Sequence, residues 1–502
     1  MKRLRLAIWF LLLIVPVQAA LAGMTAQEAY IKASNTDEGD SFGRSVAVSG
    51  DTVIIGASLE DSNATGVNGS QGNAFFDSGA VYVLVPDTAG LWSQQAYIKA
   101  SNTGGGDEFG WSVALSGDTL VVGARLEDSD ATGVNGAQDN NAAEFAGAAY
   151  VFVRNGAGEW SQQAYLKASN TESEDQFGFS VAISGDTIVV GAPREDSDAN
   201  TVNGDQGDNM ATSSGAAYVF VRNAGIWTQQ AYLKASNSDA LDGFGQTLAI
   251  DGDTIVVGAP NESSAATGVN GDQLSNAESD SGAAYVFVRS GTNWTQQAYL
   301  KASNTGFQDN FGEAVAISGE SILIGAPDED SNATGVNGDD QLNGAFDSGA
   351  AYLFVRNGMN WSQQAYIKAS NTGSDDLFGS AVSIDGDQAV IGARGEASNA
   401  TGVDGEQNNN SMFLAGAAYL FDRSGVDWTQ RAYLKASNTE SLDQFGAAVG
   451  LSGPNVIIAA RDERSSATGV DGDQADNSAI SAGAAYLFFQ SPVIFADGFE
   501  GS

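Results

Sequence analysis

Tyr165-Leu-Lys-Ala-Ser-Asn170 is one of seven copies of the same phrase, Tyr-x-Lys-Ala-Ser-Asn, in a chain of 502 residues. The copies follow one another at intervals of 67 or 68 residues and begin at Tyr30, Tyr97, Tyr165, Tyr232, Tyr299, Tyr366 and Tyr433. A fixed period of this length is typical of repeat proteins, in which each unit is one supersecondary structure. We therefore expect one repeat domain over residues 23–490, where length alone would suggest about three domains.

The third repeat predicts four strands. Ser180-Val-Ala-Ile-Ser184 alternates in polarity, Gly185-Asp186 is a turn signal, and Thr187-Ile-Val-Val-Gly191 is an apolar run. A glycine-led pair between two such runs favours a hairpin with a type II′ turn. A polar stretch of about twenty residues without periodicity predicts a loop. The strands Gly215-Ala-Ala-Tyr-Val-Phe-Val221 and Trp227-Thr-Gln-Gln-Ala-Tyr-Leu-Lys234 follow it. Seven units of four antiparallel strands predict an all-β fold, a seven-bladed propeller.

The ends of the repeat array predict how the ring closes. The seventh unit stops after Ala484-Ala-Tyr-Leu-Phe488 without a fourth strand, whereas Gln27-Glu-Ala-Tyr-Ile-Lys32 is a fourth strand without its first three. We expect the N-terminal strand to complete the last blade, which removes exposed sheet edges. An open β-solenoid is the alternative, but its coils are usually shorter than this period.

Two further motifs recur in each unit. Phe-Gly opens the first strand, as at Phe177, and Gly-Ala-Pro follows the second strand at Gly191, Gly258 and Gly325, with Gly-Ala-Ser, Gly-Ala-Arg or Ala-Ala-Arg elsewhere. This order resembles the FG-GAP repeat of integrin α-chain propellers and of many bacterial exported proteins, over about residues 25–490. The resemblance implies the propeller fold, but it implies little about function, which depends on sites added to a fold.

Integrin-type repeats commonly carry a calcium loop between their first two strands, and this chain departs from that pattern. Only a tight turn, such as Ser49-Gly50-Asp51, occupies the place. Because calcium takes six to eight oxygen ligands, we do not expect those family sites here.

Composition limits the function classes. Lys2, Arg3 and Arg5 precede an apolar run from Leu6 to Val17 and the small residues Ala20-Leu21-Ala22, so residues 1–22 are predicted to be a secretory signal peptide. The protein is then secreted or held at the cell surface, with no transmembrane segment in the mature chain and a short tail at 491–502. The net charge of −40 excludes nucleic acid as a partner. The absence of histidine and cysteine excludes catalytic triads, cysteine–histidine pairs and histidine-ligated zinc.

The charge is unevenly placed. In a propeller the links between blades and the long loops emerge on one face, and these segments hold 46 of the 62 acidic residues. The seven lysines of the mature chain share one position of the fourth strand, from Lys32 to Lys435, and we expect them on the blade rim. An acidic face would attract cations or basic partners in a salt-dependent way.

Calcium is the candidate cofactor for the long loops. The candidate ligands are the acidic residues of two loops, Glu127, Asp128, Asp130, Asp328, Glu329 and Asp330. Their order does not match a known calcium loop. The alternative is that Asp, Asn, Ser and Gly form turns and keep the protein soluble.

Aromatic residues such as Trp160, Tyr165, Phe177 and Tyr218 occur in nearly every unit, which favours packing between blades over a single binding site. A site should break this symmetry. The residue after Phe-Gly does so, and in chain order it is Arg44, Trp111, Phe179, Gln246, Glu313, Ser380 and Ala447. We expect Trp111 and Phe179, flanked by Arg44, Gln246 and Glu313, to form an aromatic binding platform at the mouth of the channel. A freely varying surface position is the alternative.

The predicted function is a non-enzymatic binding or adhesion module, acting as a monomer on a protein or glycan at the cell surface. Two alternatives stay open: a propeller-fold carbohydrate-active enzyme with paired carboxylates, and a structural surface or matrix protein. Catalysis would require one environment that raises the pKa of a single carboxylate, whereas these acids are spread over all blades.

Overall fold

The computed structural model describes residues 24–490, which form 28 β-strands and no helix. The strands build seven four-stranded antiparallel sheets, so the predicted all-β propeller is confirmed. The predicted signal peptide (1–22) and C-terminal tail (491–502) lie outside the described residues. In each blade the first strand is innermost, and the innermost strands of neighbouring blades contact one another around the ring.

The strands are numbered in chain order, beginning with β1 (Met24–Ile31). Blades 1 to 3 contain β2 (Phe42–Ser49), β3 (Thr52–Ala57), β4 (Ala80–Pro86), β5 (Trp92–Ile98), β6 (Phe109–Ser116), β7 (Thr119–Ala124), β8 (Ala148–Arg154), β9 (Trp160–Leu166), β10 (Ser180–Ser184), β11 (Thr187–Ala192), β12 (Ala216–Asn223) and β13 (Ile226–Leu233). Blades 4 to 7 contain β14 (Thr247–Asp251), β15 (Thr254–Ala259), β16 (Ala283–Ser290), β17 (Asn293–Leu300), β18 (Ala314–Ser318), β19 (Ser321–Ala326), β20 (Ala350–Asn357), β21 (Asn360–Ile367), β22 (Phe378–Asp385), β23 (Gln388–Ala393), β24 (Ala417–Ser424), β25 (Asp427–Leu434), β26 (Phe445–Ser452), β27 (Asn455–Ala460) and β28 (Ala484–Gln490).

The hairpin predicted in the third repeat is present. Ser184 pairs with Thr187, which leaves Gly185 and Asp186 as a two-residue turn. Gly185 has a φ of 56°, the positive value that the first turn position of a type II′ turn requires. The corresponding turn in blade 1 is equally short, and therefore no calcium loop joins the first two strands.

The ring closes as predicted, through the N-terminal strand. The seventh sheet has the order β1-β28-β27-β26, in which Tyr30 pairs with Tyr486 and Ile31 with Ala485. The first residues of the domain therefore form the outer strand of the last blade.

The repeated glycines hold neighbouring blades together. Gly191 is the last residue but one of β11, the second strand of blade 3. A Cβ atom there would lie 2.0 Å from the carbonyl oxygen of Gly245, the Phe-Gly glycine of blade 4. Gly245 has a φ of 93°, a conformation that side chains rarely adopt. Each motif thus supplies one half of a close backbone approach between adjacent blades.

The aromatic residues of the repeats form the core, which confirms the packing prediction. Phe177 is fully buried and its ring centre lies 5.4 Å from that of Tyr218, at a steep angle. Tyr218 in turn contacts Tyr232, and Trp227 is 2% exposed. Edge-to-face arrangements of this kind add to the large area that such side chains bury.

The lysines are buried, and the prediction that they lie on the blade rim was wrong. Lys99 Nζ lies 2.8 Å from the Glu60 carboxylate, and both side chains are almost inaccessible to solvent. The other six lysines pair in the same way with the glutamates of their own long loops, Glu127, Glu195, Glu262, Glu329, Glu396 and Glu463. A buried ammonium group requires a partner of opposite charge, because desolvation otherwise strongly disfavours it.

The repeated asparagine lies in the link between two blades and binds the ion-pair glutamate of the following blade. Asn102, three residues after Lys99, donates to Glu127 in the next blade at 2.8 Å and accepts a hydrogen bond from Tyr150 at 2.7 Å. Tyr-x-Lys-Ala-Ser-Asn is therefore conserved within the chain because its lysine binds the loop of one blade and its asparagine binds the loop of the next.

The long loops are tied to the outer strands. Asn203 donates its backbone N–H to the carbonyl oxygen of Tyr232, and its side-chain oxygen accepts the Tyr232 N–H at 2.9 Å. Asn203 has a φ of 57°, which asparagine tolerates better than most residues. The Val-Asn-Gly part of the loop thus covers the outer edge of the blade, where an unpaired strand would invite aggregation.

Candidate functional site

The predicted site residues are brought together at one end of the channel. We call Arg44, Trp111, Phe179, Gln246 and Glu313 the mouth cluster. Each is the last residue of a four-residue turn closed by its own backbone N–H, as in the 3.1 Å bond from Trp111 to the Glu108 carbonyl oxygen. The positive φ of the preceding glycine, 90° at Gly110, fixes the direction in which the side chain leaves the turn. All five are only partly buried.

Trp111 is the centre of a stack. The guanidinium carbon of Arg44 lies 3.6 Å from the centre of the Trp111 ring, and that of Arg125 lies 3.4 Å from it. Because two groups this close to the ring centre cannot share one face, one guanidinium covers each face of the indole. Trp111 therefore supports two arginines, whereas the sequence predicted that it would itself present a stacking surface. Phe179 lies beside it, with ring centres 5.6 Å apart.

Glu313 lies on the opposite side of the ring from this stack. Its carboxylate accepts a hydrogen bond of 2.8 Å from Gln246. Burial raises the pKa of Glu313 to about 7, although the nearby Arg394 and Arg44 act in the other direction. This carboxyl group therefore changes its charge near neutral pH.

Three mouth residues were not predicted. Arg125, Arg394 and Arg461 follow the second strands of blades 2, 6 and 7, at the place that Pro193 takes in blade 3. Arg125 binds Glu108 at 2.5 Å, and Arg461 lies 3.6 Å from Asp462. The sequence did contain a signal for these arginines, because Gly-Ala-Arg or Ala-Ala-Arg replaces Gly-Ala-Pro in the three blades. From the sequence alone this replacement was interpreted only as variation of the motif.

A cleft adjoins the mouth cluster between blades 2, 3 and 4. It has a volume of about 400 Å³ and is lined by Phe179, Arg125, Arg194, Gln246 and Asn261, among others. The lining combines an aromatic ring, two guanidinium groups and side-chain amides. Such a mixture offers apolar contact together with donors for oxygen atoms.

The carboxylates proposed as calcium ligands serve as internal acceptors. Glu127 and Glu329 are the buried partners of Lys167 and Lys368. Asp128 accepts the Phe145 N–H at 2.8 Å, and Asp330 accepts the Asp347 N–H at 2.9 Å.

The remaining two candidates differ in their surroundings. Asp328 accepts a hydrogen bond of 2.5 Å from Asn310, whereas Asp130 is exposed. Residues 24–490 contain no group of three or more His, Cys, Asp or Glu side chains that could hold a metal ion. Calcium binding by these loops stays a prediction.

Burial also reduces the charge expected on the long-loop face. One aspartate of each link is buried and accepts a backbone N–H, as Asp175 does from Glu172 at 3.0 Å. Desolvation raises the pKa of Asp175 to about 8, against a small opposing effect of that hydrogen bond. The equivalent residues have pKa values raised to about 7 or 8 for the same reason, and they are Asp40, Asp107, Asp242, Asp309, Asp376 and Asp443.

Comparison with known proteins agrees with the architecture. No helix among residues 24–490 is long and apolar enough to cross a membrane. A search of curated proteins found no matching relative. The family model described as FG-GAP repeat matches the chain seven times, over residues 25–84, 92–152, 160–220, 227–287, 294–354, 361–421 and 428–488. These matches cover most of the chain, and the protein therefore belongs to the FG-GAP repeat family.

Proposed function

We propose that this protein is an exported, non-enzymatic binding module of the adhesion type, which holds a protein or glycan of the cell surface at its channel mouth. FG-GAP propellers are generally binding modules of extracellular proteins, and the basic, apolar and small residues of the N-terminus fit export. The observation that carries the proposal is the mouth cluster. Seven blades share one buried network, yet at the mouth they present different charged and aromatic side chains that contact one another.

The composition of the mouth favours recognition over a purely structural role. A ring that needed only stability would be expected to repeat the same residue, as it does at the buried Lys–Glu pairs. Instead, arginine, aromatic and carboxyl groups stay partly exposed beside a cleft of about 400 Å³. Arginine and aromatic residues are also enriched at the energetic centres of binding surfaces.

Basic partners are a finer part of the proposal. Exposed acids of the long loops, such as Asp130, Asp139 and Glu144 in blade 2, would attract positive charge. We propose that a basic partner contacts this outer acidic region, while the mouth supplies the specific contacts. Calcium bound by exposed acids such as Asp130 would act on the same outer region.

The test is a glycan-array and cell-surface binding assay on residues 23–490, run with calcium and with chelator. The variant W111S/F179S places at both positions the residue that blade 6 carries naturally at Ser380. We expect it to lose binding while keeping most of its thermal stability. The matched control is I226S, because Ile226 is an exposed apolar residue at the start of β13, next to the short turn at the other end of a blade. Equal binding by the wild type and W111S/F179S would overturn the proposal.

Glycoside hydrolysis is a second candidate, and one observation favours it. Glu313 lies at the channel mouth beside the cleft-lining Gln246, and burial raises its pKa and that of the neighbouring Asp328, as acid catalysis requires of one carboxyl group. If the mouth hydrolyses a bound glycan, E313Q should abolish product formation and retain binding. If no bound glycan gives a hydrolysis product, hydrolysis is excluded and binding remains as the proposed function.

A further inference from the structure

Four arginines occupy an arc of the channel mouth on consecutive blades. Arg394, Arg461, Arg44 and Arg125 belong to blades 6, 7, 1 and 2, and we call them the arginine arc. Burial lowers the pKa of Arg44 to about 9, and the positive charges of the other three arginines act in the same direction. Glu108 has the opposite effect. Like charges gathered in this way repel one another, so an anion bound among them would be stabilised.

Two members of the arc lack a carboxylate partner. Arg125 is paired with Glu108 and Arg461 with Asp462. Within the part of the chain that the structure describes, Arg44 and Arg394 form no salt bridge. By contrast, the arginines on the opposite side of the blades, such as Arg154 and Arg423, each bind an aspartate at 2.7 Å.

Trp111 prepares the arc for a ligand. Its ring fixes the planes of Arg44 and Arg125 by stacking. Arg125 is paired with Glu108, whereas the N–H edge of Arg44 is left available for oxygen acceptors. A guanidinium held in this way loses less conformational freedom when it binds a carboxylate or sulfate with two parallel hydrogen bonds. The stack also separates two positive groups that would otherwise repel each other at short range.

Two hydroxyl groups without a hydrogen-bond partner lie at the channel mouth, one at each of the two repeat positions that elsewhere carry the arginines of the arc. Ser58 replaces the arginine of the arc in blade 1, and Ser380 replaces the residue after Phe-Gly in blade 6. The Oγ atoms of both are buried and have no hydrogen-bond partner. Ser58 itself is 1% exposed. A buried hydroxyl without a partner is unfavourable, and a bound polar ligand or water would satisfy it.

The cleft beside Phe179 extends the arc toward a sugar-sized space. Its amide groups, from Gln176, Gln246 and Asn261, can donate to and accept from hydroxyl groups. The ring of Phe179, which Arg125 approaches to 5.8 Å, lines the cleft and offers an apolar surface to the carbon face of a sugar. The cleft volume of about 400 Å³ is too small for a folded partner.

We propose that the channel mouth binds an acidic oligosaccharide, with the carboxylate or sulfate group on Arg44 and Arg394 and the neighbouring sugar in the cleft beside Phe179. This inference rests on the proposed binding function and names its ligand class. An acidic peptide would also carry carboxylates, but it would make little use of a cleft lined by amides and one aromatic ring.

Isothermal titration calorimetry of the folded chain tests the proposal, at about 0.15 M salt so that the long-range field of the net negative charge is screened. The probes are a short oligogalacturonide, a sulfated galactan oligosaccharide, the matching neutral galactan oligosaccharide and a glutamate hexapeptide. We expect one or both acidic sugars to bind well above the neutral one, and the two acidic probes distinguish carboxylate from sulfate.

The variants R44S and R394S use the residues that blades 6 and 1 carry naturally at the same positions. Because hydrogen bonds to charged groups are stronger than those between neutral groups, each variant should weaken acidic-sugar binding roughly tenfold or more. R44K keeps the positive charge but cannot form two parallel hydrogen bonds, so it should also bind the acidic sugar weakly. It tests the same contact if R44S does not fold well. R154Q and R423Q are the matched controls on the opposite side of the blades and should bind normally.

The outcomes separate the two proposals. Equal binding of neutral and acidic sugars, insensitive to R44S and R394S, would overturn the acidic class and leave the mouth as the binding site. Binding of the glutamate peptide with no binding of either acidic sugar would also overturn it. No binding of any probe, together with a silent glycan array, would remove both this inference and the proposed function.

Discussion

Lys32 and Glu463 lie 431 positions apart in the chain, yet Lys32 Nζ donates to Glu463 Oε2 over 2.8 Å and both side chains are buried. Tyr30 adds a second hydrogen bond to the same carboxylate. The same Lys–Glu ion pair lies within each of blades 1 to 6, and in blade 7 it joins the N-terminal strand to the last repeat. Ring closure uses the same chemistry as the blades themselves.

We expect K32M to loosen the N-terminal strand. Removal of one partner leaves Glu463 buried without its counter-charge, which should lower the free energy of unfolding by about 3–5 kcal/mol. The measurement is denaturant unfolding combined with hydrogen exchange at Ala29–Ile31. The control is K234M, which breaks the equivalent pair with Glu195 inside blade 3. In K32M the amides of β1 should exchange before the protein unfolds globally, whereas in K234M they should not. If β1 exchanges only on global unfolding in both variants, this view of closure is contradicted.

The contact between neighbouring blades predicts a strong effect of one methyl group. In G191A the new Cβ would lie 2.0 Å from the Gly245 carbonyl oxygen and 2.4 Å from Ser180 Oγ, so the backbone must move. Overpacking of this kind typically lowers stability by about 1–3 kcal/mol. The natural comparison is Ala459 in blade 7, which already faces Gly43 of blade 1. Thermal melting should show a larger loss for G191A than for A459G, and equal losses would refute the glycine argument.

The sequence predicted the fold well because strand patterns and turns are local. β10 was predicted to the residue, and the missing fourth strand of the last unit predicted closure. The position of the lysines could not be predicted in the same way. Their burial depends on Glu60 and its equivalents, which reach the fourth strand only after the long loop has folded back.

The candidate site was predicted in part for a similar reason. Arg44, Trp111 and Phe179 break the symmetry of the repeat in the sequence, and the structure brings them into contact. Arg125 was missed, because it reaches Trp111 through the register of the β6–β7 hairpin, in which Phe109 pairs with Ala124, and the repeated motifs alone do not give that register. Motif variants at element ends are therefore worth examining in other repeat proteins.

Stability should fall as pH rises from about 4 to 8. Burial raises the pKa of Asp175 to about 8, well above the value near 4 expected for an unfolded chain. The folded state then binds protons more tightly than the unfolded state. The contribution of this aspartate to the free energy of unfolding is therefore complete below about pH 4 and is lost as the pH rises through the folded-state pKa. Six equivalent aspartates act in the same direction.

Melting temperatures measured across this pH range check the sign. D175N keeps an oxygen that can accept the Glu172 N–H but removes the titrating proton. Its melting temperature should vary less with pH than that of the wild type, and combining it with D107N should flatten the curve further. D139N, at an exposed aspartate, is the control and should follow the wild type. A wild-type melting temperature that rises from pH 5 to 8 would disprove the argument.

Removal of calcium should leave the ring intact. The long loops are held by internal bonds such as those of Glu127 to Lys167 and of Asp128 to the Phe145 N–H. We therefore expect calorimetric melting to be the same with calcium and with chelator, because the blades are stabilised by their apolar core. Limited proteolysis at residues 137–142 reports on the loop itself. A chelator-induced drop in melting temperature would show instead that a metal supports the fold.

Binding of an acidic oligosaccharide should weaken as pH rises through 7. Glu313 faces Arg394, Arg44 and Asp328 and is bonded to Gln246, and burial raises its pKa to about 7. When Glu313 is neutral, the unpaired arginines are available to the ligand. When it is ionised, it competes for them and repels the bound anion. Calorimetric titrations at several pH values, with E313Q as the variant, measure this effect. E313Q should bind with little change between pH 6 and 8, whereas the wild type should lose affinity, and parallel pH profiles would exclude Glu313 from control of the site.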